Sequence, residues 1–116
     1  MSLSEKDNVR LRHMTDACRK AMSFASGKSR EDLEDDELLA LALIRLLEVI
    51  GEATRGISEE LRERYPEIKW RALAGIRDRL IHGYFDVDLD IIWRIVTDDL
   101  PLLAENLARI SSEERP

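Results

Sequence analysis

Apolar positions along the chain recur at intervals of three and four, broken by short polar stretches, and this period predicts helices almost throughout. Leu11, Met14, Cys18, Ala21, Met22 and Ala25 form one stripe of a first helix over about Ser4 to Ala25, with Gly27 as its stop. Residues 29–37 are strongly acidic and predict a connector in which Ser29 and Asp32 resemble a capping box. A second helix, over about Asp36 to Ile57, is apolar nearly all round between Leu38 and Ala53, which places it at the centre of a bundle. Gly51 within it offers a point where a neighbouring helix can come close. Ser58, followed by Glu59 and Glu60, predicts an N-capped short helix that Tyr65-Pro66 ends. A third main helix is expected from Ile68 to His82, with Gly83 at its end. A turn over Tyr84 to Asp88 then leads into a fourth helix from Leu89 toward Ile110, where Pro101 either kinks the helix or opens a new segment. The expected fold is an all-α antiparallel bundle of four to five helices, forming a single domain over residues 1–116.

Composition narrows the class without changing it. Five Gly, three Pro and 5% aromatic residues leave too little turn chemistry for a sandwich or barrel, while 44% hydrophobic and 36% charged residues describe a folded domain. The single cysteine, Cys18, excludes a disulfide framework and a thiolate zinc site, and its place on the first stripe makes it a core thiol. No secretory apolar segment opens the chain, and the run from Leu38 to Ile50 is interrupted by Arg45 and Glu48, so a cytoplasmic protein without a membrane span is expected. Asp86-x-Asp88-x-Asp90 imitates the start of a calcium loop, but Ile91 stands where the turn needs glycine and Thr97 where a bidentate Glu is needed. Asp88 is instead expected to cap the fourth helix. His13 is given no role, and Trp70 and Trp93 read as core or interface anchors. No metal and no cofactor is expected.

The net charge of −6 argues against general nucleic-acid binding, but it is unevenly spread. Between Arg62 and Tyr84 six basic residues face three acidic ones, giving +3, and the remaining 12 basic and 21 acidic residues give −9. Any phosphate site belongs in that basic third. If residues 68–82 form one straight helix, Arg77 falls about 40° from Leu73, between Trp70 and Leu80 in the apolar arc. A buried unpaired guanidinium costs on the order of several kcal/mol, so Arg77 needs either an ion pair, with Glu48 or Glu52, or a cleft that takes an anion. His82 falls about 140° away on that projection, and a chain reversal at Gly83 is required to bring it round. His82 then reads either as a partner of the helix dipole or as a proton carrier beside a phosphate-binding arginine and Tyr84.

Arg77-Asp78-Arg79-Leu80-Ile81-His82-Gly83-Tyr84 resembles the Arg-x-x-x-x-His-x-Tyr motif of the HepT-like toxins in the HEPN superfamily. The stretches Leu46 to Ala53, Tyr65 to Trp70 and Asp99-Leu100-Pro101 resemble that family's central helix, motif approach and last helix. Asp78 departs from the pattern, since many members carry Asn after the arginine. The resemblance implies a helical bundle that forms a homodimer with two motifs across a shared cleft. It implies a metal-independent endoribonuclease that is the toxin of a toxin–antitoxin pair. The partner it implies is a minimal nucleotidyltransferase (MNT) antitoxin, which transfers AMP to the motif tyrosine. On this reading Arg77 and His82 are catalytic, Asp78 supports them, Tyr84 is the AMP acceptor and RNA is the substrate. One rival is a non-catalytic helical module that docks a nucleotidyltransferase or binds nucleotide; another is a purely structural dimerisation domain. A docking module has no use for the full set of Arg, His and Tyr, and Arg77 on the apolar arc argues against a purely structural domain.

Overall fold

The computed structural model describes residues 3–82 and 86–114, which form an all-α bundle with one minimal strand pairing. Helix α1 (Glu5–Ala25) starts where the Ser4 side chain accepts from the Asp7 N–H, and the chain leaves it through Gly27 at φ +74. A single turn, α2 (Asp32–Asp35), precedes α3 (Glu37–Arg55), whose N-cap Asp36 accepts from the Leu39 N–H. The expected box at Ser29 forms in part: the Asp32 carboxylate accepts from the Ser29 N–H and hydroxyl. Helix α4 (Glu59–Arg64) is capped by Ser58, whose hydroxyl accepts from the Leu61 N–H and donates to the buried Asp7 carboxylate at 2.5 Å. That last bond ties the start of α4 to the start of α1.

The central position expected for α3 holds. It packs along α1, against α5 (Trp70–Ala74) and against α6 (Ile76–Leu80), and Leu43, Leu47 and Ile50 are fully buried. Contacts between Asp7 and Ser58 and between Met14 and Thr54 show that α1 and α3 run antiparallel. At Gly51 the close approach is real, since a Cβ there would lie 3.2 Å from the Leu73 carbonyl oxygen and 3.7 Å from the Ile76 Cβ.

The third main helix is not one helix. It breaks at Gly75, which has the weak helix propensity of glycine, and α6 ends at Leu80, two residues earlier than expected. Ile81–His82 (β1) then pairs antiparallel with Asp86–Val87 (β2), matching Ile81 with Val87 and His82 with Asp86. The Leu80 carbonyl, left free by the helix end, accepts from the Asp88 N–H at 2.8 Å.

The fourth helix settles the choice at Pro101 in favour of a new segment, with the proline in the first turn of a helix that starts at Leu100. A π-helical stretch joins that helix to what precedes it. Helix α7 (Leu89–Arg94), capped by Asp88, passes through a five-residue π-helical stretch (Ile95–Asp99) into α8 (Leu100–Glu113). Proline has no N–H for the carbonyl four residues back, and its ring would press on that carbonyl. The widened turn takes up this mismatch just before the proline, with the Leu100 N–H bonded five residues back to Ile95. Cys18 is fully buried and its thiol donates to the Leu100 carbonyl at 3.3 Å, as a core thiol. No helix among the described residues is long and apolar enough to cross a membrane.

The contact at Gly51 generates a test. In Gly51→Ala, a helix-propensity gain of about 1 kcal/mol is offset by pressure on a backbone carbonyl. Gly51→Leu cannot be accommodated and should lower stability by about 1–3 kcal/mol in urea unfolding. Equal stability of the Leu variant and the parent would show that α5 does not bear on α3 at this point.

Candidate active site

Within α6, Ile76 and Leu80 are fully buried and set the inner face of the helix. Arg77 and Asp78 are exposed and Arg79 is half-buried. The expectation that Arg77 lies in the apolar arc is thus corrected, for its side chain is 69% exposed. The break at Gly75 is the reason: Trp70 and Arg77 belong to different helices, and measured against Ile76 and Leu80 alone Arg77 stands about 80° off the buried face.

Of the two carboxylates expected to hold Arg77, Glu48 is present but distant, with its Oε2 3.9 Å from the Arg77 Nε. An exposed pair at that separation contributes about 0–1 kcal/mol, too little to fix the guanidinium. Arg77 instead borders a cleft of about 220 Å³ whose other wall is the outer face of α3, with Arg45, Glu48, Glu52 and Arg55 around Gly51. Arg55 is partly committed, since its Nε donates to the Ala74 carbonyl at 3.1 Å. Sequence reasoning missed Arg45 and Arg55 as walls of this cleft. Their signal was there: with Glu48 and Glu52 they recur at three and four along one stripe of α3.

The motif continues from helix into strand. The backbone of His82 is held by pairing with Asp86, so the projection that set His82 far from Arg77 on a single helix no longer applies. The side chain of His82 lies outside the described residues, as do Gly83 and Tyr84. Asp78 shares the exposed side of α6 with Arg77.

Cations of the basic third divide into two groups. Arg62 donates to the Thr54 carbonyl at 2.8 Å and closes the end of α3, while Arg64 pairs with the nearly buried Glu114 at 2.9 Å. Both are structural. Lys69, Arg71 and Arg79 make no ion pair among the described residues, and with Arg77 they are the charges left for a ligand.

Two other reactive groups are accounted for by packing. Burial pushes the Cys18 thiol up to about 11, so it is not a nucleophile at neutral pH. Tyr65 is 4% exposed, and its hydroxyl faces Glu114 at 2.9 Å and Glu113 at 3.0 Å; burial, then these carboxylates, hold its phenol well above the usual range.

Comparison with known proteins now bears on the site. The family described as Ribonuclease HepT-like matches residues 14–110, which include every residue of the motif. The chain belongs to the HepT-like ribonuclease family. It is 36% identical over 105 residues to a candidate RNase of Caldanaerobacter subterraneus subsp. tengcongensis, covering 90% of this chain and 94% of that one. It is 39% identical over 103 residues to a candidate ribonuclease HepT of Thermococcus cleftensis, covering 89% and 92%. A candidate RNase of Methanocaldococcus jannaschii is 37% identical over 89 residues, or 77% of each chain. No solved structure matches significantly. The resemblance carried by the motif is therefore borne out at the level of the HepT-like family.

The exposure of Arg77 gives a direct expectation for this HepT-like chain. Arg77→Ala should leave stability within about 0.5 kcal/mol of the parent, because only a long, solvated pair is lost. A loss of 2 kcal/mol or more in the same urea titration, as an order of magnitude for a buried pair, would mean that Arg77 is a structural residue.

Proposed function

We propose that this HepT-like chain is a metal-independent endoribonuclease, the toxin of a HEPN/MNT toxin–antitoxin system, acting as a homodimer. One observation carries the reading: at the head of the family motif, Arg77 is exposed and weakly paired, five positions before His82. A guanidinium kept for structure would be buried and closely paired; this one is open to a phosphate.

In the proposed reaction Arg77 forks onto the non-bridging oxygens of the scissile phosphate and takes up the charge that grows there. His82, neutral before attack, removes the proton of the adjacent ribose 2′-hydroxyl. The 2′-oxygen bonds to phosphorus, the bond from phosphorus to the 5′-oxygen breaks, and that oxygen takes up a proton. The products are a 2′,3′-cyclic phosphate and a 5′-hydroxyl. Asp78 orients Arg77 or its ligand from the same exposed side of α6.

Support for the dimer comes from α3. The central helix keeps one stripe open to solvent, with Leu38 80% and Leu41 53% exposed, and the stripe runs on into the Arg77 cleft through Arg45 and Glu52. A second copy packed on that stripe would cover the leucines and close the cleft, in a self-complementary contact.

Control is assigned to Tyr84. The chain has two tyrosines, and Tyr65 is buried with its hydroxyl engaged, which supports Tyr84 as the acceptor. The antitoxin would join the Tyr84 oxygen to the α-phosphorus of ATP, releasing pyrophosphate. The added nucleotide would put a phosphate beside Arg77 where the substrate's phosphate must sit.

Two experiments test the proposal. Arg77→Ala and His82→Ala should each abolish cleavage of single-stranded RNA while keeping the parent's circular dichroism, and cleavage by the parent should survive EDTA. Activity in a folded His82→Ala protein, or a requirement for magnesium, would refute the mechanism. On co-expression with an adjacent nucleotidyltransferase, intact mass should rise in AMP units, with cleavage lost, and the gain should vanish in Tyr84→Phe.

A further inference from the structure

A second cavity is larger than the Arg77 cleft. It lies on the other side of α6, between α5 and the α7–α8 helix, with a volume of about 400 Å³. That is within the usual range of about 300–1,000 Å³ for small-molecule sites. Its floor is apolar, made by Ala72, Leu73 and Leu103, and Leu102 stands 60% exposed among the residues that line it. Three cations from three elements reach it: Lys69 before α5, Arg79 on α6 and Arg94 at the end of α7. None has an ion pair among the described residues. Three carboxylates also line it. Glu67 is taken by Arg109, whereas Asp98 and Asp99 belong to the π-helical stretch and make no ion pair among the described residues.

Asp98 Oδ1 also accepts from the Thr97 hydroxyl at 3.3 Å. Cations and carboxylates that make no ion pair among the described residues, set around an apolar floor, suit one class of ligand. A nucleotide has a phosphate for the cations and a planar base for the floor. If the base carries amino donors, it also has partners for the carboxylates. A carboxylate accepts from the exocyclic amine of cytosine or adenine, and from two adjacent donors, N1–H and the 2-amine, on guanine. Uracil presents no amine. We propose that this cavity is a base-selective subsite of the ribonuclease, taking one nucleotide near the cut, with Asp98 and Asp99 reading a base that carries an amino group, guanine best. This rests on the ribonuclease reading above. Arg77 and Arg79 sit on opposite sides of α6 because residues two apart on a helix face away from each other. A strand with its scissile phosphate at Arg77 and a neighbouring phosphate at Arg79 must cross this short helix, and that crossing leads the next base toward the cavity. Single-stranded RNA, with unstacked bases, is the form that can do so.

Two readouts on the full chain test the subsite. In the first, a random-sequence single-stranded RNA pool is cut and the ends are sequenced. The parent should favour G over U at one position near the cut by at least about fivefold, the low end for a two-bond base contact. The double variant Asp98→Asn, Asp99→Asn should lose that preference while still cleaving. Lys69→Ala or Arg94→Ala should raise KM by roughly up to fivefold with kcat unchanged, and Lys20→Ala on the far surface of α1 should change neither. In the second readout, 5′-GMP and 5′-UMP are titrated into His82→Ala protein and followed by amide NMR. GMP should shift Ala72, Leu73, Leu103 and Asn106 more strongly than UMP does, whether or not the parent cuts RNA. If the parent cuts without base preference, or if the Asn variant keeps the preference and GMP leaves these amides unmoved, the subsite is wrong. If the parent cuts nothing but GMP shifts them, the subsite stands and the ribonuclease reading falls.

Discussion

The contact of α3 with the α5–α6 segment at Gly51 is the constraint on which the site depends. The Leu73 carbonyl oxygen stands 3.2 Å from where a Cβ at position 51 would be, so the two elements meet closely at a residue without a side chain. That approach buries Leu73 and Ile76 against the central helix and sets α6 beside the outer stripe of α3. The cleft at Arg77 is the rim of this contact. A larger residue at position 51 would move α6 outward, and Arg77 would lose its wall without any change in the motif itself.

From that contact outward, the chain sorts its charges by whether backbone needs them. Arg55 and Arg62 satisfy carbonyls near the ends of α5 and α3, Arg64 holds Glu114 near the end of α8, and Arg109 lies over the Tyr65 ring at 5.4 Å. These cations stiffen the bundle around α3. Within the basic third, Lys69, Arg71 and Arg79, without an ion pair among the described residues, and the weakly paired Arg77 lie within eleven consecutive positions of the chain. The +3 segment is thus two populations, Arg62 and Arg64 committed to helix ends and the four cations that follow them left open. Net charge counted over a segment cannot tell them apart, because it ignores which charges face a helix end.

Local features were legible in the sequence, and features that depend on two distant segments were not. Ser58 and Asp88 cap the helices they were expected to cap, Ser4 and Asp36, expected as helix starts, cap theirs, and Gly27 ends α1, because capping is decided within four residues. The break at Gly75 escaped because one glycine in an otherwise regular period lowers helix propensity without deciding the outcome. What decides it is the packing of α5 and α6 on α3. The strand pair escaped for a similar reason: two residues on each side carry no period, and their partner is supplied by the returning chain. The error at Arg77 followed from the missed break, since an angle taken across Gly75 assumed one axis where there are two. The π-helical stretch had a local cause, Pro101, but proline permits several responses and only the packed helix selects one.

Charge alone is a poor source of RNA selectivity in such a protein. With about four unpaired or weakly paired cations near the motif, phosphate neutralisation on a single strand would give a salt slope of roughly −3, from about −0.7 per phosphate. The acidic remainder of the chain opposes binding anywhere else. Such a surface holds a polyanion weakly and in one register, so it has little affinity to spare for non-specific RNA. Discrimination must then come from contacts to bases or from strand shape, because phosphate contacts carry no sequence information. The chain keeps an apolar-floored cavity across α6 from its weakly held arginine, and a weak electrostatic grip is the condition under which such a cavity has most effect. If phosphates supplied most of the binding energy, one base contact would be a small correction. Where they supply little, the same contact decides which RNA stays long enough to be cut.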